Sequence, residues 1–167
     1  MLEKPLRAPV PAVYDTNVLF SAIYGYRRAR MTPPVLCWDA VLDGAVELAV
    51  SPQILDELLA ALSRRGELPI ALAAEAVELV GAVGRLVTTP GELDALKRDP
   101  ADNPVLECAV LSGATYLVTG NLDHFAELGS EGSGLQYRGV EILSPRTFIA
   151  RLEPLLPPDH PFRERLG

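Results

Sequence analysis

Cysteine and histidine are nearly absent: Cys37, Cys108, His124 and His160 are the only four in 167 residues. Each cysteine sits inside an apolar segment with helical spacing, the setting of a buried free thiol. The separations among these four residues make no zinc pattern, and a disulfide is not expected in a reducing compartment. Lysine is also scarce, with only Lys4 and Lys97. No apolar run reaches the ~18 residues a membrane helix needs. The start, Met1-Leu2-Glu3-Lys4-Pro5, lacks the basic-then-apolar layout of a secretory signal. These absences lead to the expectation of a cytoplasmic protein with no membrane partner.

What is present suits one folded domain. Hydrophobic residues make up 49% of the chain and charged residues 22%, which excludes a disordered class and allows a real core. The net charge of −7 points away from a protein that coats nucleic acid without selectivity. Two local basic clusters stand against that balance, Arg27, Arg28 and Arg30 in one and Arg64-Arg65 in the other. Each could touch phosphates on an otherwise acidic surface, and each reads equally well as a solvated loop.

Along the chain, residues 1–9 with two prolines read as an N-terminal arm, 10–153 as the domain and 154–167 as a loose tail. A strand over 10–15 leads to a short helix over 17–23, and 24–32 reads as a loop. Pro33-Pro34 open a helix to about Asp43, stopped by Gly44. Val46–Val50 is the second strand. Ser51-Pro52 then cap a helix whose Leu55, Leu58, Leu59 and Leu62 form an i, i+3, i+4, i+7 stripe. A helix over 69–83, a weak strand over 85–88 and a polar connection over 89–101 follow. The helix at 103–112 ends at Gly113, before a strand over 115–119. A short helix over 122–128 and a glycine-rich loop over 129–139 precede the last strand, Val140–Leu143. Ser144-Pro145 repeat the capping device and open a final helix to about Leu155. Strands alternating with helices predict a three-layer α/β/α fold with a central parallel sheet.

The chemistry-bearing residues cluster at strand exits and helix starts. Asp15 ends an apolar run, where a charge without a partner is heavily penalised; Asp15-Thr16-Asn17 is also good helix-capping chemistry. Thr16, Asn17 and Thr119 add groups that could orient a carboxylate. Asp102 shares a helical face with Val105, Leu106 and Ala109, and an N-cap explains it equally well. Asp99, in the turn before it, reads as structural. Glu57 falls at the margin of its helix stripe, where a solvated glutamate is the plain explanation. In Thr119-Gly120-Asn121-Leu122-Asp123-His124, Asn121 can donate or accept and Asp123 can bind metal. His124 reads as a packed or surface histidine.

A parallel sheet would bring Asp15, Asp102 and the Asn121–Asp123 turn to one edge, the edge where ligand sites of open α/β sheets form. Several carboxylates sharing a small pocket repel one another unless one protonates or a cation binds. Oxygen ligands without cysteine or clustered histidine select a hard ion, Mg²⁺ or Mn²⁺.

At this point the chain resembles the PIN-domain family, the nuclease fold of VapC-type toxins in toxin–antitoxin pairs. The resemblance rests on Tyr14-Asp15-Thr16-Asn17-Val18-Leu19, on 50–58 (VSPQILDEL), on Asp99-Pro100-Ala101-Asp102-Asn103 and on 113–120 (GATYLVTG). It covers about residues 10 to 152. It implies that Asp15, Glu57 and Asp102 are acidic metal-site residues, and that Asn121 occupies a fourth position often held by aspartate. Asp123 is then a substitute ligand. The implied reaction is Mg²⁺- or Mn²⁺-dependent hydrolysis of RNA leaving a 5′-phosphate and a 3′-hydroxyl, with Arg27, Arg28 and Arg30 contacting the backbone. An antitoxin and a homodimer are the implied protein partners; the apolar helices at 33–43 and 69–83 could supply the dimer surface, and burial inside one subunit explains them equally.

Two other readings compete. Haloacid-dehalogenase chemistry needs a second aspartate where Asn17 stands, and response-regulator chemistry needs an acidic pair and a late lysine. A PIN-like module without activity is the remaining alternative, kept open by Asn121.

Overall fold

The computed structural model describes residues 9–130 and 134–167. The expected N-terminal arm lies outside the described residues except for Pro9. Seven strands form one sheet in the order β3-β2-β1-β4-β7-β6-β5. They are β1 (Val10–Tyr14), β2 (Val46–Val50), β3 (Arg85–Leu86), β4 (Tyr116–Val118), β5 (Gly129–Ser130), β6 (Gly134–Tyr137) and β7 (Val140–Leu143). The five strands β1, β2, β3, β4 and β7 run parallel, while the β5–β6–β7 edge is antiparallel. The parallel strands are near-continuous apolar runs because both faces are covered, and Ala12, Val13, Leu117 and Val118 are fully buried.

The helices are α1 (Thr16–Arg27), α2 (Pro33–Leu42), α3 (Pro52–Arg64), α4 (Ile70–Val83), α5 (Asn103–Ser112), α6 (Pro145–Leu152) and α7 (Arg163–Leu166). Helix α2 packs on α1 and α6, α3 on α1 and α4, and α5 against β1, β2 and β4, giving the three-layer α/β/α arrangement. The expected side-chain caps are present at Ser51 and Ser144, and Thr32 adds a third; each accepts from an amide three residues on and is followed by proline. Gly113 ends α5 at φ +74°, a left-handed cap that glycine adopts without strain.

Chain order and space order part company at β1. The chain steps outward from β1 to β2 and β3, then returns to lay β4 on the other flank of β1. In the register, Tyr14 pairs with Val118, so the next residue of β1 and the next residue of β4 emerge side by side. This reversal is the crevice where open α/β sheets hold ligands.

Three expectations change. Helix α1 continues to Arg27 rather than stopping at 23, so the first half of the expected loop is helical. Its stacked Phe20 and Tyr24, one turn apart, support the extra turn. In the glycine-rich stretch, Gly129–Ser130 and Gly134–Tyr137 pair as antiparallel strands; residues 131–133 lie outside the described residues. Around Pro157–Pro161 the chain is held down, not loose. Phe162 is fully buried, and Arg163 donates to the carbonyls of Pro157, Leu156 and Glu153. Arg165 donates to Asp43 at 2.7 Å and stands 3.5 Å from the buried carboxylate of Asp39.

Candidate functional site

Asp15 follows β1 directly and is 4% exposed. Its Oδ1 accepts from the Thr16 amide at 2.7 Å. Its Oδ2 accepts from the Thr119 hydroxyl at 2.8 Å and from the Asn17 amide group at 3.2 Å. A helix N-cap normally bonds the second or third amide of its helix. Asp15 bonds only the first, and turns its other oxygen across the sheet to β4. Asn17 completes the tie, since its Oδ1 accepts from the Gly120 amide at 2.8 Å.

Glu57 is reached from the same turn, its Oε2 accepting from the Thr16 hydroxyl at 3.0 Å. Thr16, the first residue of α1, thus fixes two carboxylates, one through its amide and one through its side chain. Asp102 stands before α5 yet makes no side-chain cap there. Its Oδ2 instead lies 2.9 Å from Nδ1 of His124. Capping therefore does not account for Asp102.

These groups meet in one open cavity of about 390 Å³. Asp15, Thr16, Asn17, Glu57, Asp102, Asn121 and His124 line it, with Arg64 and Arg65 of the α3 end on its wall. Burial pushes the Asp15 carboxyl up to about 6, and the charges of Asp102 and Glu57 push the same way against the hydrogen bonds from Thr119 and Thr16. Partial burial raises Glu57, and Asp102 adds to it. Asp102 is raised by burial and by Asp99, while His124 opposes the shift. Among the described residues, no lysine or arginine closes a salt bridge with Asp15, Glu57 or Asp102. Uncompensated carboxylates crowded together fit a divalent cation.

Asp99 and His124 join the site although the sequence suggested neither. One carboxylate oxygen each of Asp99 and Asp102 and a ring nitrogen of His124 lie within 4.8 Å of one another, a grouping that could hold a metal ion. Asp99 immediately precedes the 3₁₀ turn Pro100–Asp102, and His124 lies in the 3₁₀ turn Leu122–Leu128. With three residues per turn, positions i and i+3 eclipse. The Asp102 amide donates to the Asp99 carbonyl at 3.1 Å and the His124 amide to the Asn121 carbonyl at 3.0 Å, which draws each pair together across its turn. The spacings Asp-x-x-Asp and Asn-x-x-His were the available signal. The same geometry turns Asp123 a third of a turn aside. It is exposed and absent from the cavity wall, so the expected substitute ligand does not stand with the others.

Arg27, Arg28 and Arg30 also stand off the carboxylate cavity. Arg27 borders an apolar cavity with Trp38 and Leu72, and Arg28 and Arg30 border a shallow one along α1.

The sequence pattern of the PIN domain matches residues 11–123. The chain belongs to the PIN-domain family. PIN domains are generally metal-dependent nucleases, and this one carries an acidic grouping that could hold a metal ion. In overall shape this PIN domain is similar to PAE2754 from Pyrobaculum aerophilum, whose crystal structure is matched at a TM-score of 0.49 and 17% identity, over 92% of this chain and 98% of that one. No curated protein matches the chain. Among the described residues, no helix of this PIN domain is long and apolar enough to cross a membrane.

Proposed function

We propose that this PIN domain is a metal-dependent endoribonuclease and the toxin of a toxin–antitoxin pair. The observation that carries the reading is the convergence of Asp15, Glu57 and Asp102, from three separate segments, on one cavity where, among the described residues, no lysine or arginine forms a salt bridge with them. Asp15 and Asp102 would hold Mg²⁺ or Mn²⁺, with Glu57, Asp99 and His124 as further donors. When bound, the ion supplies positive charge against the scissile phosphate and lowers the cost of ionising water.

The chain's own residues account for the rest. Thr16, Asn17 and Thr119 lock the Asp15 carboxylate so that it need not reorganise during reaction. Glu57, its carboxyl raised from the ordinary range, orients the attacking water and accepts its proton. The water oxygen bonds to phosphorus as the bond to the ribose 3′-oxygen breaks. That oxygen takes up a proton from solvent in the open cavity, Glu57 later returns its own to solvent, and the products are a 5′-phosphate and a 3′-hydroxyl. Arg64 and Arg65 are placed to contact non-bridging phosphate oxygens.

Titration of Mg²⁺ and Mn²⁺ into the pure protein with an RNA oligonucleotide tests this. Cleavage should need the ion, leave 5′-phosphate ends and fall by about 10²–10³ in Asp15→Asn. Ion binding and cleavage both absent would favour an inactive PIN-like binding module, the reading that Asn121 on the cavity wall supports. We assign protein partners, an antitoxin or a second copy, to the apolar cavity of about 460 Å³ where Trp38 and Leu42 face Leu72 and Leu79. Co-expression with the neighbouring reading frame, followed by purification, tests the antitoxin. A cytoplasmic location accompanies this reading.

A further inference from the structure

A ladder of rings and guanidinium groups leads away from the carboxylate cavity. Arg65, on the cavity wall, holds its guanidinium 5.1 Å from the Phe20 ring centre. Phe20 stacks on Tyr24 with ring centres 5.4 Å apart and planes 18° apart. Arg28 lies 4.5 Å from the Tyr24 ring centre. The order Arg65–Phe20–Tyr24–Arg28 runs along α1, and its far end opens into a shallow cavity of about 310 Å³ that Arg30 also lines.

The charges along this line are free. Among the described residues, Arg28, Arg30, Arg64 and Arg65 form no salt bridge, and neither do Arg27, Arg98, Arg138, Arg146 and Arg163. What sets these four apart in a chain of net charge −7 is their place: Arg64 and Arg65 line the carboxylate cavity, Arg28 and Arg30 the shallow one, and the Phe20–Tyr24 stack joins the two. Phe20 and Tyr24 are half-buried, which leaves part of each ring open to solvent.

We infer that this ladder is the track of a single-stranded RNA segment, whose bases take the place of the Arg65 and Arg28 guanidinium planes on the outer faces of Phe20 and Tyr24 and whose phosphates meet the four arginines. Bases of every sequence have a π face, and a ring–guanidinium platform accepts them without base-edge readout. A duplex keeps its bases stacked on one another and offers this platform nothing. The inference rests on the nuclease reading for the choice of RNA and for the strand's entry into the carboxylate cavity.

The test is binding without cleavage. Fluorescein-labelled oligouridylate, oligodeoxythymidylate and a duplex RNA are titrated by anisotropy into the full chain in EDTA. Tyr24→Ser should weaken oligouridylate binding about tenfold, with Tyr24→Trp restoring it; alanine substitution of one stacking aromatic has effects of this order. Arg28→Gln, a surface change that leaves the fold intact, should weaken binding and flatten its salt dependence. Photo-crosslinking of 5-iodouridine oligomers should mark Phe20 or Tyr24. Equal binding of the DNA oligomer supports the track, since stacking does not sense the sugar. Duplex binding as tight as single-strand binding, or oligouridylate binding unchanged in both Tyr24→Ser and Arg28→Gln, overturns it. Track-dependent binding without ion-dependent cleavage would sink the nuclease reading alone; cleavage indifferent to Tyr24 and Arg28 would sink the track alone.

Discussion

The Thr119 hydroxyl donates to Asp15 Oδ2 across 2.8 Å, joining residues 104 positions apart. This bond exists because Tyr14 and Val118 are register partners at the ends of adjacent parallel strands. It ties the most buried acid of the site to the far half of the chain. The same oxygen of Thr119 accepts from the Asn121 amide at 3.0 Å, so one hydroxyl orders both the acid and the turn that carries Asn121 and His124.

Thr119→Val keeps the shape of the residue and removes the donor. A hydrogen bond to a charged group contributes about 1.5–3 kcal/mol. The Asp15 carboxyl should titrate higher, and divalent-ion affinity measured by calorimetry at neutral pH should fall by at least tenfold. Unchanged affinity would show that the tie is dispensable.

Asp15 makes the ion-free protein less stable at neutral pH than in mild acid. Its carboxyl rises from an ordinary value of 3.8 to about 6 in the folded chain. Between those values the folded state binds more protons than the unfolded state, so stability falls as pH rises through this window. Two pKa units correspond to roughly 3 kcal/mol at most. Urea melts at pH 4.5 and pH 7 should show the decline, and Asp15→Asn should flatten it. The same shift makes ion binding weaken below about pH 6, where the proton competes.

His124 brings a nitrogen to a group of oxygens, and imidazole suits transition ions better than Mg²⁺. The intact protein should therefore bind Mn²⁺ more tightly than Mg²⁺. In His124→Ala the gap between the two affinities should narrow, with Mg²⁺ affinity changing least. An unaltered ratio would mean that His124 only braces Asp102.

Phe162→Ala should cost about 3 kcal/mol or more, the usual penalty for emptying an aromatic core site. Phe162 is fully buried although prolines surround it. A thermal melt distinguishes this from an ornamental tail, whose truncation would move nothing.

Much of this architecture was legible from periodicity and caps. Val46–Val50 and Val140–Leu143 stand where their apolar runs predicted, and Ser51-Pro52 and Ser144-Pro145 open their helices as read. The convergence of Asp15 and Asp102 followed from the parallel order of strands. Glu57 did not stand out, because its helix position looks solvated and its partner is the hydroxyl of Thr16, 41 residues away. Asp99 and His124 escaped because 3.6-residue reasoning does not apply in 3₁₀ turns. The extension of α1 to Arg27 was hidden by Tyr24 and Gly25, which read as loop residues. Gly25 is helical because the gap to α2 is narrow; a Cβ there would come within 2.5 Å of Val35 Cγ2.

Gly120 carries no functional group, yet a methyl added to it would stand 3.1 Å from the Asn17 oxygen that its own amide already engages. Asn17 would have to retreat by a few tenths of an ångström, loosening its grip on Asp15 in the process. A side chain at position 120 would therefore act by steric exclusion, at one remove from the acid it would disturb.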